Sequence, residues 1–307
     1  MYHSSTLVAV LAGGLLLSSC AAFSAGDTDS GEVRAAAAFY PLAYAAERVG
    51  GDLVSVENLT RPGQEPHDLE LNVRQTGLLA DADLVVLEEG FQPAVDDATE
   101  TNATGRVLDV TSAADLLPAE DHGEEGHAEE EEHGHGSTDP HFWLDPLRLA
   151  DVGDAVAAEL GEVDPDNAAT YDDNAAALRA ELEGLDAEYA DGLAQCERDT
   201  VVVSHDAFGY LAKYGIHLEP IVGLSPDAEP TPADLQRLQA LIRDEGVTTV
   251  FSEPLTSAAP SSSLAGDLDI DTAVLDPLEG LSADDEDDDY LTIMRRNLGA
   301  LQEANGC

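Results

Sequence analysis

Short apolar runs alternate with segments whose apolar residues recur at helical spacing along most of the chain. The apolar runs are VRAAAAF, LVSVENL, DLVVLEE and RVLDV in one series, and TVVVSH, HLEPIVG, TTVFSE and IDTAVLD in a second. They predict buried strands, and segments such as PLAYAAERVG between them predict helices that end at glycine. Strands that alternate with helices form mostly parallel sheets. The pattern therefore predicts an α/β fold in which two series of strands are each flanked by helices.

Helices are predicted near residues 206–214, 232–245, 257–266 and 287–304 in the second series. The second of these has clear signals at both ends, because Thr231 is an N-cap candidate followed by proline and Gly246 follows the last turn. These signals give the segment definite boundaries.

A long helix is predicted between the two series, within residues 164–196. Its apolar positions recur at intervals of three and four residues, at Tyr171, Ala175, Leu178, Leu182, Leu185 and Tyr189. About thirty helical residues would extend about 45 Å, which is long enough to bridge two domains. A dimerising coiled coil is the competing interpretation, although the stripe spans few heptads.

The first twenty residues indicate export. An apolar run from Leu7 to Leu17 is too short to span a bilayer and is followed by small residues. The sequence Leu17-Ser18-Ser19-Cys20 resembles a bacterial lipobox, in which the cysteine is lipidated, and residues 21–32 would then be a polar tether. No Lys or Arg precedes the run, a departure that a start further upstream would explain. An ordinary secretory peptide with an incidental cysteine is the alternative.

The net charge of the chain restricts the kinds of molecule that can bind to it. The chain has 63 acidic and 13 basic residues and a formal net charge of -50. Repulsion opposes binding to nucleic acid or to anionic membrane surfaces, whereas cations are attracted. General surface solvation is the competing explanation for most of this charge.

Two further cysteines, Cys196 and Cys307, lie in what would be the exported part of the chain. Oxidising compartments favour disulfides, so we expect these two residues to pair, with two free thiols as the alternative.

An acidic, histidine-rich run lies at residues 115–138. Positions 111 to 140 contain ten carboxylates and no Lys or Arg, a composition typical of a flexible loop. Its irregularly spaced histidines are His122, His127, His133 and His135. One hypothesis is that they capture Zn²⁺ weakly and pass it to a buried site. The alternative is a spacer without a role in transport.

Three other histidines occur where predicted strands end or turns begin. They are His67 in GQEPHDLE, His141 in TDPHFWLDP and His205 in VVVSHDAFGY, and Asp276 follows another strand in VLDPLEG. Ligands gather at the carboxyl ends of parallel strands, so we expect these four residues to converge. Three imidazoles and one carboxylate make a four-coordinate site that suits zinc.

The same segments carry a family resemblance. GQEPHDLE, the acidic His-rich loop before DPHFWLDP, SHDAFGYLAKYG, GLSPDAEPTPADLQRLQALI, VFSEP and LDPLEG occur in an order that resembles the metal-binding lipoproteins of ABC transporters, the zinc-uptake branch in particular. The resemblance implies two α/β lobes, residues 33–163 and 197–307, bridged by the helix at 164–196. It also implies a metal in the cleft between the lobes.

The resemblance further implies the identity of the bound metal and of its ligands. Zinc binders of this family resemble this chain in having His205, where manganese binders commonly have a carboxylate, and imidazole favours zinc over manganese. Glu65 is an alternative fourth ligand, as in some similar zinc members. We therefore expect a receptor that captures Zn²⁺ and delivers it to an ABC permease and its ATPase.

The expected location is the outer face of the cytoplasmic membrane, through a lipid anchor, or the periplasm. A manganese receptor of the same family and a lipid-anchored adhesin that binds zinc incidentally are the alternatives. Motifs of zinc hydrolases and serine hydrolases, H-E-x-x-H and G-x-S-x-G, do not occur, and we expect no enzymatic activity.

Overall fold

Each series of apolar runs forms a four-stranded parallel sheet in the computed structural model of the protein. The structure describes Met1 and residues 32–119, 138–282 and 288–307. The predicted export signal, nearly all of the tether and most of the His-rich loop lie outside the described residues.

The first sheet has the strand order β2-β1-β3-β4 and the second has the order β6-β5-β7-β8. The strands of the first sheet are β1 (Val33–Ala37), β2 (Val54–Asn58), β3 (Leu84–Leu87) and β4 (Arg106–Asp109). Those of the second are β5 (Thr200–Val203), β6 (His217–Pro220), β7 (Thr249–Ser252) and β8 (Asp271–Val274). Both sheets contain a strand whose residues are all buried, β3 in the first and β5 in the second. Strands covered on both faces require continuous apolar runs, and both sequences have them.

Helices connect the strands and cover the sheets. In the N-terminal part of the chain they are α1 (Tyr40–Gly50), α2 (Val73–Asp81), α3 (Pro93–Asn102), α4 (Thr111–Ala114) and α5 (Pro146–Val163). After these come α6 (Ala168–Leu193), α7 (Pro232–Glu245), α8 (Ala259–Leu268) and α9 (Tyr290–Asn305). Short 3₁₀ turns occur at Phe142–Leu144 and Gly209–Tyr214, among other positions. The residues before α6 are called the N-terminal half below, and those after it the C-terminal half.

The long helix α6 has 26 residues and begins after a 3₁₀ turn at Pro165–Asn167. At 1.5 Å per residue it is about 39 Å long. All six residues of the predicted apolar stripe are buried, and the helix packs against α1 and α5 in the N-terminal half and against α9 in the C-terminal half. The stripe is therefore used within one chain, as expected for a bridging helix, and the coiled-coil interpretation is wrong. Residues Glu32–Cys307 form one compact unit, and the predicted lobe boundaries remain a prediction.

Helix α7 begins and ends where its sequence predicts. The Thr231 side chain accepts from the Asp234 backbone N–H while the Asp234 side chain accepts from the Thr231 N–H, which completes a capping box. Gly246 ends the helix with a φ of 69°, a conformation that glycine adopts without steric cost.

Cys196 and Cys307 form the expected disulfide, which joins the residues just beyond α6 and α9. The backbone amides of Glu197 and Arg198 also donate to the Asn305 carbonyl, at 3.0 and 3.1 Å. The end of the chain is thus attached to the end of the bridging helix.

Within the described ranges, no helix combines the length and the apolarity needed to cross a membrane.

Replacing both disulfide cysteines by serine should lower the free energy of unfolding. The disulfide closes a loop with a sequence separation of 111 residues, and loop-closure entropy for that length corresponds to roughly 4 to 5 kcal/mol. Urea unfolding followed by circular dichroism would measure the loss. The unsubstituted protein with reductant should match the double variant, and equal stability of oxidised protein and variant would contradict the expectation.

Candidate metal centre

His67 lies in the loop between β2 and α2, beyond the carboxyl end of β2. Gln92 fixes this loop, because its Nε2 donates to Thr60 Oγ1 at 3.0 Å and to the Pro66 carbonyl at 2.9 Å. The imidazole packs edge-on against Phe91, with ring centroids 4.7 Å apart. The His67 side chain is therefore placed by a hydrogen-bonded loop and by aromatic packing, and it is 17% exposed.

His141 immediately precedes the 3₁₀ turn that leads into α5, and its side chain is fully buried. Asp139 Oδ1 accepts from the His141 backbone N–H at 3.0 Å and lies 2.7 Å from its Nδ1. In the same turn, Trp143 Nε1 donates to the Pro277 carbonyl at 2.7 Å. This last bond connects the turn of His141 with the segment that follows β8.

His205 follows β5 and is also fully buried. Glu253, which follows the adjacent strand β7, places Oε1 2.7 Å from His205 Nδ1 and 3.3 Å from its backbone nitrogen. The Ser204 hydroxyl donates to the same carboxylate oxygen. Neighbouring parallel strands thus supply a histidine and the carboxylate that contacts it.

A fourth side chain, Glu279, lies at the point where these three histidines converge. Its Oε1 is 3.4 Å from His67 Nε2, 3.1 Å from His141 Nε2 and 3.0 Å from His205 Nε2. One ligand atom from each of the four residues lies within 4.8 Å of the others. Among the described residues, these four side chains are the group whose ligand atoms lie close enough together to bind one metal ion.

Glu279, and not Asp276, is the fourth member of this group of side chains. Asp276 Oδ1 accepts from the Leu278 N–H at 2.8 Å, and Asp276 Oδ2 lies 3.9 Å from Arg296 Nη2. Leu278 has a φ of 57°, an uncommon backbone conformation for a residue with a side chain. Asp276 thus fixes a tight turn, and the turn presents the carboxylate three residues later.

The sequence contained a signal for this arrangement, because VLDPLEG has two acidic residues after its strand. Aspartate directly before proline is typical of a turn, which favours a structural role for Asp276. The sequence prediction named Asp276, the acidic residue nearest the strand end, and did not include Glu279.

Glu65, the alternative ligand, lies beside the group but outside it. Its Oε2 accepts from the Asp68 N–H at 3.2 Å, while its buried Oε1 has no hydrogen-bond partner. Burial and the charge of Glu279 raise the pKa of Glu65, although His67 lowers it in part. Glu65 is therefore close enough to influence an ion at the centre.

The buried histidines and Glu279 change one another's protonation. Burial lowers the pKa of His141, but its hydrogen bond to Asp139 and the nearby carboxylate of Glu279 outweigh burial and raise that pKa to about 9. Burial likewise opposes protonation of His205, but Glu253 and Glu279 raise its pKa to about 10. Burial raises the pKa of Glu279, but the contacts with His205 and the other histidines hold it well below its usual range. Without metal at neutral pH, His141 and His205 are therefore protonated and Glu279 is ionised.

The histidines of the acidic run and the candidate lipidation site, Cys20, lie outside the described residues. Metal capture by His122, His127, His133 and His135, and lipidation, remain predictions.

Comparison with known proteins gives consistent matches. Residues 36–304 match the family described as zinc-uptake complex component A, periplasmic. The zinc-binding lipoprotein AdcA of Streptococcus pneumoniae is 34% identical over 306 residues, which cover 94% of this chain and 60% of AdcA. The high-affinity zinc uptake system protein ZnuA of Bacillus subtilis is 32% identical over 309 residues, 98% of this chain and 97% of ZnuA.

A solved structure agrees with these matches. The Zn(II)-bound ZnuA-like domain of Streptococcus pneumoniae AdcA superposes with a TM-score of 0.74 and 31% identity, covering 90% of this chain and all of that domain. This chain therefore spans about 60% of the length of AdcA but nearly all of ZnuA. Because the family match covers most of the residues and the relatives exceed 30% identity over nearly the whole chain, this protein belongs to the family of periplasmic zinc-uptake complex components.

Proposed function

We propose that this protein is an extracytoplasmic receptor that binds Zn²⁺ and delivers it to an ABC permease and its ATPase. The proposed ligands are His67, His141, His205 and Glu279. The observation that carries the proposal is the convergence of three imidazole Nε2 atoms on one buried carboxylate oxygen, at 3.0 to 3.4 Å. Four N and O donors from residues far apart in the sequence would give zinc its preferred coordination number.

The donor set favours zinc over manganese. Imidazole suits zinc, whereas manganese prefers carboxylate, carbonyl and water oxygens, and three of the four proposed ligands are imidazoles. The relatives with the names given above are zinc proteins. These facts support zinc as the transported ion rather than the manganese alternative.

The burial of the centre supports carriage rather than catalysis. Catalytic zinc keeps one coordination position open for water, whereas closed sites use four protein ligands. The side chains of His141, His205 and Glu279 are at most 3% exposed, so four protein donors can enclose the ion. A receptor needs to hold and release an ion, and it has no need of a reactive water.

The remaining parts of the proposal concern location. An exported receptor would be held at the outer face of the cytoplasmic membrane through lipid on Cys20. The His-rich loop would capture zinc weakly and pass it to the buried site.

Purified protein is expected to bind one Zn²⁺ tightly, and excess Mn²⁺ should fail to displace it. Alanine at His67, His141 or His205 and glutamine at Glu279 should each weaken zinc binding by about 100-fold or more, since loss of a residue that merely supports a ligand already costs 10- to 100-fold. Competition against a chromogenic zinc chelator would give the affinities.

Asp276→Asn is the matched control for Glu279→Gln, because both replace a carboxylate by its amide in the same turn. The zinc affinity of Asp276→Asn should stay within about tenfold of wild type, which is a smaller loss than the one expected when a ligand is removed. Severe loss in Asp276→Asn with normal binding in Glu279→Gln would return the fourth ligand to Asp276. Normal binding in all three histidine variants would place the site elsewhere.

Zinc binding should release protons and strengthen with rising pH. His141 and His205 have pKa values raised to about 9 and about 10 in the metal-free centre, so both are protonated at pH 7, while zinc binds only neutral imidazole. We expect about two protons released per zinc at pH 7, and an affinity that rises up to about pH 10 and then levels off. Calorimetry in buffers of different ionisation enthalpy would count the protons, and zinc binding without proton release at pH 7 would contradict the protonated centre.

Delivery is tested by growth. Cells that lack the gene should grow poorly in zinc-depleted medium, and a plasmid with the wild-type gene should restore growth while Glu279→Gln should not. An adhesin that binds zinc incidentally would leave growth unaffected by the deletion.

A further inference from the structure

We propose that Asp139 and Glu253 are positioning residues that keep His141 and His205 protonated at Nδ1, with Nε2 directed at the metal. The inference rests on zinc binding at the proposed centre and assigns two residues that support it without touching the ion.

The two carboxylates make the same pair of contacts. Asp139 Oδ1 accepts from the backbone N–H of His141 and lies 2.7 Å from its Nδ1. Glu253 Oε1 lies 3.3 Å from the backbone nitrogen of His205 and 2.7 Å from its Nδ1. Each carboxylate therefore contacts the main chain and the ring of one histidine, which fixes the ring relative to its own backbone.

These contacts determine which ring nitrogen faces the metal. A carboxylate at Nδ1 favours the form in which Nδ1 has the proton, and Nε2 is then free to bind an ion. The Nε2 atoms of both rings lie within 3.1 Å of Glu279 Oε1. With zinc at Nε2, the proton would stay on Nδ1 in its hydrogen bond to the carboxylate, and that hydrogen bond would make the imidazole a stronger electron-pair donor to the metal.

Both carboxylates are themselves buried and held in place. Asp139 is 6% exposed and Glu253 is 5% exposed, so water competes little for their hydrogen bonds. The Tyr210 hydroxyl donates to the Asp139 carbonyl at 2.7 Å, and the Ser204 hydroxyl donates to Glu253 Oε1. The positioning residues are thus fixed before any ion arrives.

His67 differs from the other two. In the described ranges, the only carboxylate within ion-pair distance of its ring is Glu279, at 3.4 Å from Nε2. Its orientation is set by packing against Phe91. The carboxylate contact at Nδ1 is therefore a feature of the two fully buried histidines and not a general property of the site.

The test compares Asp139→Ala and Glu253→Ala with the amide variants Asp139→Asn and Glu253→Gln. Each alanine variant should bind zinc 10- to 100-fold more weakly than wild type, and the amides, which keep an oxygen acceptor at nearly the same place, should recover part of the loss. Asp68→Asn is the charge control, because Asp68 is an exposed carboxylate that adjoins His67. Glu88→Gln is the burial control, since Glu88 is a buried carboxyl whose pKa is raised by burial and by the charge of Asp139, and it lies outside the group of proposed ligands.

A spectroscopic measurement separates positioning from a general loss of charge or stability. In ¹H–¹⁵N spectra of the zinc-bound wild type, the imidazoles of His141 and His205 should show slowly exchanging Nδ1 protons. Asp139→Ala should lose the signal of His141 alone, and Glu253→Ala that of His205 alone, whereas both controls should keep both signals and near-normal affinity.

Unchanged affinity and spectra in all four variants, with normal zinc binding by wild type, would overturn the positioning role alone. An equal loss of affinity in Asp68→Asn or Glu88→Gln would also overturn it, because the effect would then be general. A wild-type protein that binds no zinc would overturn the proposed function itself.

Discussion

The structure depends on one buried carboxylate oxygen, Glu279 Oε1, which three imidazoles share. A buried carboxylate is costly unless it is paired and hydrogen-bonded. Two of its partners, His67 and His141, come from the N-terminal half, and His205 comes from the C-terminal half. The pairing is therefore satisfied only when the two halves lie in one particular arrangement, so the binding centre also helps to fix the fold.

The scaffold meets this requirement with contacts that connect the two halves away from the centre. Helix α6 packs on helices from both halves. Trp143 donates to the Pro277 carbonyl, and the Tyr290 hydroxyl donates to the Trp143 carbonyl at 2.6 Å. Both bonds are buried, and the first joins residues that are each two positions from a proposed ligand, His141 or Glu279. A short polar chain thus connects the turn that presents one proposed ligand with the turn that presents another.

The sequence predicted the scaffold better than the details of the centre. Continuous apolar runs and the capping residues of α7 are local signals, and the strands and that helix occur where these signals lie. The convergence of His67, His141 and His205 also followed from a general rule, that parallel strands bring their carboxyl ends together. The choice between Asp276 and Glu279 depended on the backbone conformation at Leu278, which no residue type dictates. The contacts of Asp139 and Glu253 join residues 2 and 48 positions apart, and only the folded chain brings the second pair together.

A balance of formal charge is relevant to ion exchange at the proposed centre. Without metal at neutral pH, protonated His141 and His205 contribute two positive charges and Glu279 one negative charge. With Zn²⁺ bound to neutral imidazoles, the ion contributes two positive charges and Glu279 again one negative. The net charge of these groups would then be the same in both states, so exchange would not change the charge buried in the low-dielectric interior. The contacts of Asp139 and Glu253 suit both states, because each carboxylate can accept a hydrogen bond from Nδ1–H in either one. Two protons could therefore substitute for the proposed ion electrostatically, which is what a receptor that both holds and releases its ion would require.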